Sequence, residues 1–268
     1  MIKFIVLCLL SAVSYAQENK RTIQYVDTIA GRMPLGYLGW KSEEGRLNAP
    51  YKAIDVSDTW IPKSFSWRNS WINPVIKNQA SCGSCVYFAI TRATEMAVAL
   101  QGFREVPDLS EQQFLSCDTV GMGCSGSYLE SAQYVVDKGL PLEKDFPYAA
   151  QNLRCRSNLP IAEKAVSYYL LGSANKKPSI KEIQAAILRY GAVFLTVAAG
   201  GPSWSGESYT ITGCRNTSVN HAITAIGFNE KGFIIANSWS EKWGDHGYAL
   251  VPYGCDKIGS EAGYIIVE

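Results

Sequence analysis

This sequence of 268 residues lacks an excess of either charge, because 25 lysines and arginines face 24 aspartates and glutamates, giving a formal net charge of +1. A surface without a charge surplus does not favour nucleic acid as a partner. The chain also lacks internal repeats and low-complexity tracts. Hydrophobic residues make up 47% of it, enough for one large core or two small ones.

Long hydrophobic runs are absent beyond the first sixteen residues, and a membrane span needs about 20 apolar residues. Residues 1–16 contain Lys3, an apolar run from Phe4 to Val13, and then Ser14-Tyr15-Ala16. This order is typical of a cleaved signal peptide, and the apolar run is too short for a membrane anchor. We therefore expect entry into the secretory pathway, and no attachment to a membrane after the signal is removed.

The cysteines do not form an even set. Eight are present, but Cys8 leaves with the predicted signal peptide, so seven remain. In an oxidising compartment six of these are candidates for disulfides. The seventh thiol is then either an intermolecular link or a reactive nucleophile.

Residues 17–60 show little that predicts a core element. They are polar, with scattered glycines and charges, and only a weak helical period around Thr22 to Ala30. Two interpretations are open: a disordered N-terminal tail, or a pro-segment that is removed on activation.

The first half of the remaining chain is mostly helical in pattern. An almost continuously apolar helix begins at Cys85, and Gly102 is expected to close it as the C-terminal cap. Capping-box patterns mark two more helix starts, at Ser110 and Ser179. A further helix is predicted from Ser127 to Lys138, before Gly139.

After Gly191 the pattern changes to short apolar segments separated by glycine, asparagine and aspartate, as in an antiparallel sheet. The predicted strands are Ala192–Ala198, His221–Phe228, Gly232–Ala236, Tyr248–Val251 and Tyr264–Val267. A helical half followed by a strand half indicates an α+β fold with two lobes, and a cleft between lobes is a usual place for substrates.

Cys85 has the position of a nucleophile. It is predicted to be the first residue of a buried helix, where free backbone N–H groups and the helix dipole favour the thiolate. Cys82 lies in the preceding loop without this advantage and is a better structural half-cystine. Gln79, six residues before Cys85, can donate an amide N–H to an oxyanion, and the Cys85 backbone can donate another.

Only two histidines can act as the base for this thiol. His221 begins an apolar strand, and Asn237 follows the next strand. If the two strands form a hairpin through residues 229–232, the Asn237 amide oxygen can orient the His221 ring. His246 lies in a glycine- and aspartate-rich turn and is expected to be a solvated loop residue.

Two other interpretations of the thiols were weighed. Cys82-Gly83-Ser84-Cys85 has the spacing of a redox pair or of half a zinc site, but no second thiol pair or histidine cluster has suitable spacing. A redox pair would also leave Gln79, His221 and Asn237 unexplained. We therefore expect neither a metal nor another cofactor.

Three separated motifs resemble the papain family of cysteine peptidases: Asn78-Gln79 through Cys85, Asn220-His221-Ala222, and Asn237-Ser238-Trp239-Ser240 with Trp243-Gly244. Agreement at three motifs in the right order is much more specific than one short pattern. The likeness runs from about residue 61 to the C-terminus. It implies a two-lobed papain-like fold and peptide-bond hydrolysis by Cys85 and His221, with Asn237 orienting the histidine and Gln79 in the oxyanion hole.

The resemblance also implies three disulfides and a substrate-binding surface. The pairs are Cys82 with Cys124, Cys117 with Cys155, and Cys214 with Cys255. Residues 124–128 would pair with the substrate backbone as an added strand. The residues implied to line the substrate site are Gly83, Gly126, Ser127, Tyr128, Leu129, Thr196, Val219, Asn220, Ala222 and Trp239.

The sequence departs from the family pattern in several places. Val86 replaces the usual tryptophan after the nucleophile, and Asn220 stands where aspartate is common. Ser127 replaces a glycine, and its side chain would either narrow the approach to the substrate backbone or cap the following helix. The 44 residues of the segment 17–60 lack the helical pattern of longer papain-type pro-segments, so inhibition by it would be short-range or weak.

The resemblance selects a secreted or lysosomal-type endopeptidase made as a zymogen, with residues 1–16 as signal, 17–60 as pro-segment and 61–268 as the mature domain. The helical lobe would cover about 70–170 and the β lobe about 171–268. Polypeptide substrates and the pro-segment, as inhibitor, are the expected partners of a monomer in the extracellular space or a lysosome or digestive vacuole.

Between Cys85 and Ser127 there is no room for the loop that makes some relatives exopeptidases. The main alternative is an inactive homologue that binds peptides or proteins. Asn216-Thr217-Ser218 is a possible N-glycosylation site.

Overall fold

The computed structural model describes residues 23–215 and 217–268. The predicted signal peptide and Asn216 lie outside the described residues. Within the described ranges, no helix combines the length and apolar character needed to cross a bilayer.

From residue 85 onward most helices precede most strands, as the sequence pattern indicates, whereas the N-terminal part of the chain mixes the two. The helices are α1 (Glu43–Asn48), α2 (Cys85–Gly102), α3 (Glu111–Cys117), α4 (Ala132–Asp137) and α5 (Ile180–Tyr190). The strands are β1 (Gln24–Thr28), β2 (Gly31–Leu35), β3 (Phe65–Ser66), β4 (Ser167–Leu170), β5 (Val193–Val197), β6 (His221–Phe228), β7 (Gly232–Ala236), β8 (Tyr248–Pro252) and β9 (Ala262–Ile266).

The strands form a hairpin and a larger sheet, both antiparallel. β1 pairs with β2, while the larger sheet has the order β4-β9-β5-β6-β7-β8, with β3 against β6. One hydrophobic cluster surrounds α2, and a second lies in the sheet lobe. The α+β, two-lobed prediction is confirmed.

Helix α2 joins the two lobes. It is buried on every side from Cys85 to Ala99 and packs against β6, which explains why its sequence is apolar almost all round rather than amphipathic. The predicted C-terminal cap at Gly102 is wrong: the helix includes Gly102, and the left-handed residue is Phe103, with φ of 50°.

Two other helix predictions need correction. The helix predicted from Ser127 begins only at Ala132, after a single turn at Leu129–Ser131, because the Ser127 backbone pairs with another segment and Tyr128 is extended. At Ser110 only half of the capping box forms: the Ser110 hydroxyl accepts from the Gln113 N–H at 3.0 Å. The Ser110 N–H is already bonded to the Pro141 carbonyl, so the Gln113 side chain bonds elsewhere.

Residues 23–60 are an ordered part of the fold, against the expectation from their composition, while residues 17–22 lie outside the described part of the chain. Where the sequence shows a weak helical period, residues 24–28 form the β1 strand, and a turn follows. Val26, Met33 and Leu35 are buried in the sheet-lobe cluster, so few but well-placed apolar residues dock the hairpin. Farther on, Lys52 N–H donates to the Leu170 carbonyl at the edge strand β4.

Candidate active site

Cys85 is the first residue of α2 and the free cysteine among the described residues. Burial raises the pKa of its thiol from 9.0 to about 11. Opposing this, the backbone N–H groups of Ala222, Gly36 and Val86 interact with the sulfur and lower its pKa. The sulfur therefore lies beside the strand that carries His221, and beside the N-terminal segment.

His221 and Asn237 meet because β6 and β7 form the expected hairpin, with Thr224 opposite Ala236. The His221 Nε2 lies 2.9 Å from the Asn237 Oδ1. A carbonyl-type oxygen accepts, so Nε2 carries the proton. Nδ1 has no hydrogen-bond partner among the described groups. Burial lowers the pKa of the imidazole to about 4, against the raising effect of Asn237.

Trp239 covers the histidine–asparagine contact. Its ring stacks on that of His221 with the centroids 4.6 Å apart. It is fully buried and also contacts Trp204 and Trp243. Trp239 is therefore an apolar wall that keeps water from the His221–Asn237 hydrogen bond.

Gln79 faces the cysteine loop and is held by the other lobe. Its Oε1 accepts from the Ser238 hydroxyl at 2.7 Å, and its backbone N–H donates to the Ser238 carbonyl at 2.8 Å. Its Nε2 donates to the Cys82 carbonyl at 2.9 Å and to the Pro34 carbonyl at 3.0 Å. The amide is thus fixed in orientation and already donates to a carbonyl oxygen of the N-terminal segment.

A buried charge cluster anchors the same stretch of chain. Lys77 Nζ lies 3.1 Å from a Glu95 oxygen and 2.9 Å from a Glu111 oxygen. Burial raises the pKa of Glu111 to about 8, against the lowering effect of Lys77. The cluster holds Lys77, two residues before Gln79, against α2 and α3. The Gln79 side-chain amide therefore has little conformational freedom.

The N-terminal segment crosses the cleft as an extra strand. The Ser127 N–H donates to the Gly36 carbonyl at 2.8 Å, and the Leu38 N–H donates to the Ser127 carbonyl at 2.9 Å. Tyr37 and Ser127 therefore form a parallel bridge. On the opposite wall, the Tyr37 N–H donates to the Asn220 carbonyl at 3.0 Å. The segment uses the backbone groups that the resemblance assigns to substrate.

Gly36 allows this close approach. A Cβ atom at this position would lie 1.9 Å from the Gly83 carbonyl oxygen and 2.4 Å from its carbon. Gly126 is equally close to the segment, because a Cβ there would lie 2.6 Å from the Gly36 carbonyl oxygen. Three glycines thus let two backbones meet beside Cys85.

The Ser127 side chain points away from the cleft. Its Oγ lies 2.6 Å from the Ser131 Oγ, which donates to Asp118 Oδ2 at 2.5 Å. Neither role considered for this serine is observed: Ser127 is fully buried while its backbone stays paired, and no side chain caps the turn at Leu129–Ser131 or helix α4. The hydroxyl instead ties the cleft strand to the turn before α4.

The remaining residues of the implied substrate surface differ in exposure. Gly83, Leu129, Thr196 and Ala222 are buried, and Tyr128 and Val219 are partly exposed. The Asn220 side chain donates to Gln24 of the segment at 2.9 Å and to the Ala199 carbonyl at 3.0 Å. Val86 is fully buried, so a smaller side chain here does not open the helix start to solvent.

Sequence reasoning missed Glu261. Its carboxylate accepts hydrogen bonds from the Tyr37 hydroxyl and, at 2.7 Å, from Trp40 Nε1. Burial raises the pKa of Glu261. The available signal was a lone acidic residue directly before a buried strand, which by itself did not place the carboxylate in the cleft.

The other sequence-predicted features are readily located. His246 is exposed in its turn, with a left-handed backbone. Disulfides join the three pairs that the resemblance implies: Cys82–Cys124, Cys117–Cys155 and Cys214–Cys255.

Comparisons with known proteins agree on one family. The model of the papain family cysteine protease matches residues 61–266. The chain is 31% identical to the cathepsin L-like proteinase of Fasciola hepatica over 232 residues, 84% of this chain and 71% of that protein. It is 34% identical to zingipain-2 of Zingiber officinale, over 70% of this chain and 86% of that protein. Among solved structures, digestive procathepsin L 3 of the Tenebrio molitor larval midgut matches with a TM-score of 0.72 and 26% identity, covering 85% of this chain and 80% of that one.

Proposed function

Because the chain belongs to the papain family of cysteine proteases, we propose that it is a secreted zymogen whose processed form is an endopeptidase. Cys85 is the nucleophile, His221 the general base and acid, Asn237 the residue that orients the histidine, and Gln79 an oxyanion donor. The observation that carries the proposal is the occupied cleft: the Gly36 carbonyl accepts from the Ser127 N–H, and the Pro34 carbonyl accepts from Gln79 Nε2.

The chemistry follows from this arrangement. The Cys85 thiolate attacks the carbonyl carbon of the scissile peptide, and Gln79 Nε2 and the Cys85 N–H stabilise the oxyanion. His221 then protonates the leaving amine as the C–N bond breaks, which leaves a thioester on Cys85. His221 next takes a proton from water, whose oxygen attacks the thioester. The carboxylic acid leaves and the thiolate returns.

The segment blocks the oxyanion donor. Gln79 Nε2 already donates to the Pro34 carbonyl at 3.0 Å, so a substrate carbonyl cannot take this hydrogen bond while the segment is in place.

Burial under the segment also keeps the catalytic pair uncharged. With a thiol pKa of about 11 and an imidazole pKa of about 4, both groups are neutral between pH 5 and 8, a range set by ordinary histidine titration. Removal of the segment readmits water, which favours the charged forms and moves both pKa values back. Release of the segment would therefore uncover the groups and activate them together.

The proposed organisation is a signal at residues 1–16, a pro-segment at 17–60 and the mature enzyme at 61–268. The match of the family model from residue 61 and the match to a procathepsin structure support a boundary near this point. Of the two interpretations of residues 17–60, the ordered contacts with the cleft favour a pro-segment over a disordered tail. The processed enzyme would act outside the cell or in a lysosome or digestive vacuole.

The test compares the precursor with the protein processed by an added protease, using peptide substrates between pH 4 and 8 and a thiol-directed epoxide. We expect turnover and labelling of Cys85 in the processed wild type, little of either in the precursor, and no turnover after Cys85→Ala. The control is His246→Ala, which removes the exposed histidine and should keep activity. A processed protein that neither cleaves peptides nor labels at Cys85 would support the inactive, peptide-binding alternative instead.

A further inference from the structure

The sheet lobe contains a buried carboxylate, that of Asp256, which takes no part in the proposed reaction. Asp256 is fully buried. Its Oδ2 accepts from Trp204 Nε1 at 2.9 Å, and its Oδ1 accepts from the Arg215 backbone N–H at 2.6 Å. Burying a carboxylate costs free energy unless hydrogen bonds replace those made to water. The carboxylate and its two donors therefore hold one another in place.

The backbone of Asp256 is fixed by contacts that do not involve its side chain. The Cys214–Cys255 disulfide joins the residues that directly precede Arg215 and Asp256. The Asp256 carbonyl also accepts from the Ala198 N–H at 2.8 Å, just after β5. The φ of Asp256 is 47°, in the left-handed region that glycine adopts without steric cost. Glycine can therefore replace Asp256 without new backbone strain.

Trp204 connects this carboxylate to the indole that covers the catalytic pair. Its ring is fully buried, lies edge-on to Trp239 with the centroids 6.1 Å apart, and stacks with Trp243 at 5.9 Å. Trp243 Nε1 donates to the Trp204 carbonyl at 3.0 Å. Trp239 in turn stacks on His221. Three indoles in mutual contact thus lie between Asp256 and the imidazole.

The bond from Trp204 Nε1 to Asp256 supplies the direction that ring packing lacks. Contacts between aromatic rings have broad geometric preferences, whereas the indole N–H is the one conventional hydrogen-bonding group of a tryptophan side chain and donates along a defined line. A carboxylate acceptor makes such a bond stronger than a neutral acceptor does. Asp256 therefore fixes the rotation of the Trp204 ring about its side-chain torsions.

We propose that Asp256 is a positioning residue that holds His221 in place through Trp204. The inference rests on the proposed function, in which His221 is the general base and acid. Without the bond to Asp256, the Trp204 ring shifts and Trp239 fits less closely over the bond between His221 and Asn237. Water then competes for the histidine N–H, and the imidazole spends less time in the orientation that proton transfer requires.

Two substitutions remove the same hydrogen bond from its two ends. Asp256→Gly removes the acceptor and suits the left-handed backbone, while Trp204→Phe removes the donor and keeps an aromatic ring. Ser179→Ala is the control for a general loss of stability in the sheet lobe. It removes the hydroxyl that accepts from the Glu182 N–H at 3.2 Å and caps α5, and loss of such a cap destabilises a protein by an amount similar to that of a hydrogen bond.

The first measurement is kcat and KM of the processed proteins with one peptide substrate. Asp256→Gly and Trp204→Phe should each lower kcat by about threefold to tenfold, as expected for the loss of one hydrogen bond, with KM nearly unchanged because the substrate contacts remain. The double variant should be no slower than Trp204→Phe alone, since both changes remove one bond. Ser179→Ala should keep the wild-type kcat. Multiplying effects in the double variant, or an equal loss of kcat in Ser179→Ala, would overturn the proposal.

The second measurement needs no catalysis. Processed Cys85→Ala protein is labelled with ¹⁵N-histidine, and NMR gives the rate at which the His221 Nε2 proton exchanges with water. The chain has only two histidines, and His246→Ala assigns their signals. Exchange should be at least about threefold faster after Asp256→Gly or Trp204→Phe, because one hydrogen bond no longer holds the cover, and unchanged after Ser179→Ala.

Two results of the exchange measurement would contradict the positioning role. One is a proton that already exchanges as fast in the Cys85→Ala reference as in an exposed histidine, and the other is an unchanged rate after both Asp256→Gly and Trp204→Phe. Absence of turnover in every processed protein would contradict the proposed function alone, because the exchange rates still decide whether Asp256 holds His221.

Discussion

Gly36→Ala in the precursor is expected to expose Cys85 without changing any catalytic residue. The added Cβ would lie 1.9, 2.4 and 2.9 Å from the oxygen, carbon and Cα of Gly83, all of them backbone atoms. Carbon atoms pack at about 3.5–4.0 Å, and the Gly83 backbone is tied to Cys124 through its own N–H and through the neighbouring disulfide. The segment must therefore lift from the cleft.

The size of the effect can be worked from the bonds that such a movement breaks. Lifting of residues 34–37 breaks three of the hydrogen bonds that hold the segment over Cys85: Ser127 N–H to the Gly36 carbonyl at 2.8 Å, Gln79 Nε2 to the Pro34 carbonyl at 3.0 Å, and Tyr37 N–H to the Asn220 carbonyl at 3.0 Å. At about 0.5–1.5 kcal/mol each, their loss amounts to roughly 1.5–4.5 kcal/mol. The open fraction of the precursor should rise by about tenfold to a thousandfold.

The assay is the rate at which iodoacetamide alkylates Cys85, followed by mass spectrometry of the peptide that contains it. In the closed precursor the thiol is fully buried and its pKa is about 11 rather than 9.0. Two pKa units lower the thiolate population about 100-fold at neutral pH, and the greater intrinsic reactivity of the more basic thiolate recovers roughly tenfold of this. Labelling should thus be slow in the wild-type precursor, faster in Gly36→Ala, and fastest after processing.

Gly45→Ala is the matched control. It makes the same substitution in the same segment, inside α1, where a Cβ would approach only the ends of two side chains, at 3.2 and 3.3 Å. Alanine is also favoured over glycine within a helix. If Gly36→Ala labels no faster than Gly45→Ala, or if the wild-type precursor labels as fast as the processed enzyme, then the segment does not close the cleft as described.

Two further substitutions test the support of the site. Asn237→Ala removes the 2.9 Å bond to His221 and should lower kcat/KM about tenfold or more, as expected for a bond to a group that becomes charged; unchanged pH–rate behaviour and kcat would argue against an orienting role. Ser127→Ala breaks the chain from Ser127 through Ser131 to Asp118 and should lower the free energy of unfolding by about 1 kcal/mol, measured in urea, whereas the exposed Ser157→Ala should change it little. A Ser127→Ala protein as stable as the wild type would mean that the hydroxyl chain adds nothing to the fold.

The meeting of His221 with Asn237 and the helix start at Cys85 were predictable because these positions depend on local pattern. A helix that is apolar on every side is expected to be buried, so the sequence pattern alone locates Cys85 at the start of a buried helix. Likewise, a short loop between two apolar strands implies a hairpin, which brings His221 at one strand start to Asn237 at the next strand end. The chain has only two histidines. The composition of the turn around His246 indicates a solvated loop residue, so His221 was the remaining candidate for the base.

The N-terminal segment was not predictable in the same way. Its strands carry alternating and partly exposed residues, and its burial depends on a surface formed by residues distant in sequence. Hairpin formation at Gln24–Leu35 is therefore a consequence of docking, which overrode a weak helical period. The same holds for Ser127: the extended backbone that pairs with Gly36 and Leu38 delays the helix that the local sequence favours.

The amino-acid sequence by itself determined the two-lobed α+β character, the helix that starts at Cys85 and the hairpin that joins His221 to Asn237, because each follows from short-range periodicity and turn chemistry. Only the tertiary structure decided what fills the cleft and what lines its pocket. The approach of Gly36 to Gly83 and the meeting of Tyr37 with Glu261 join residues 47 and 224 positions apart. Contacts of that kind arise from the packing of whole elements and leave no periodic trace in the chain.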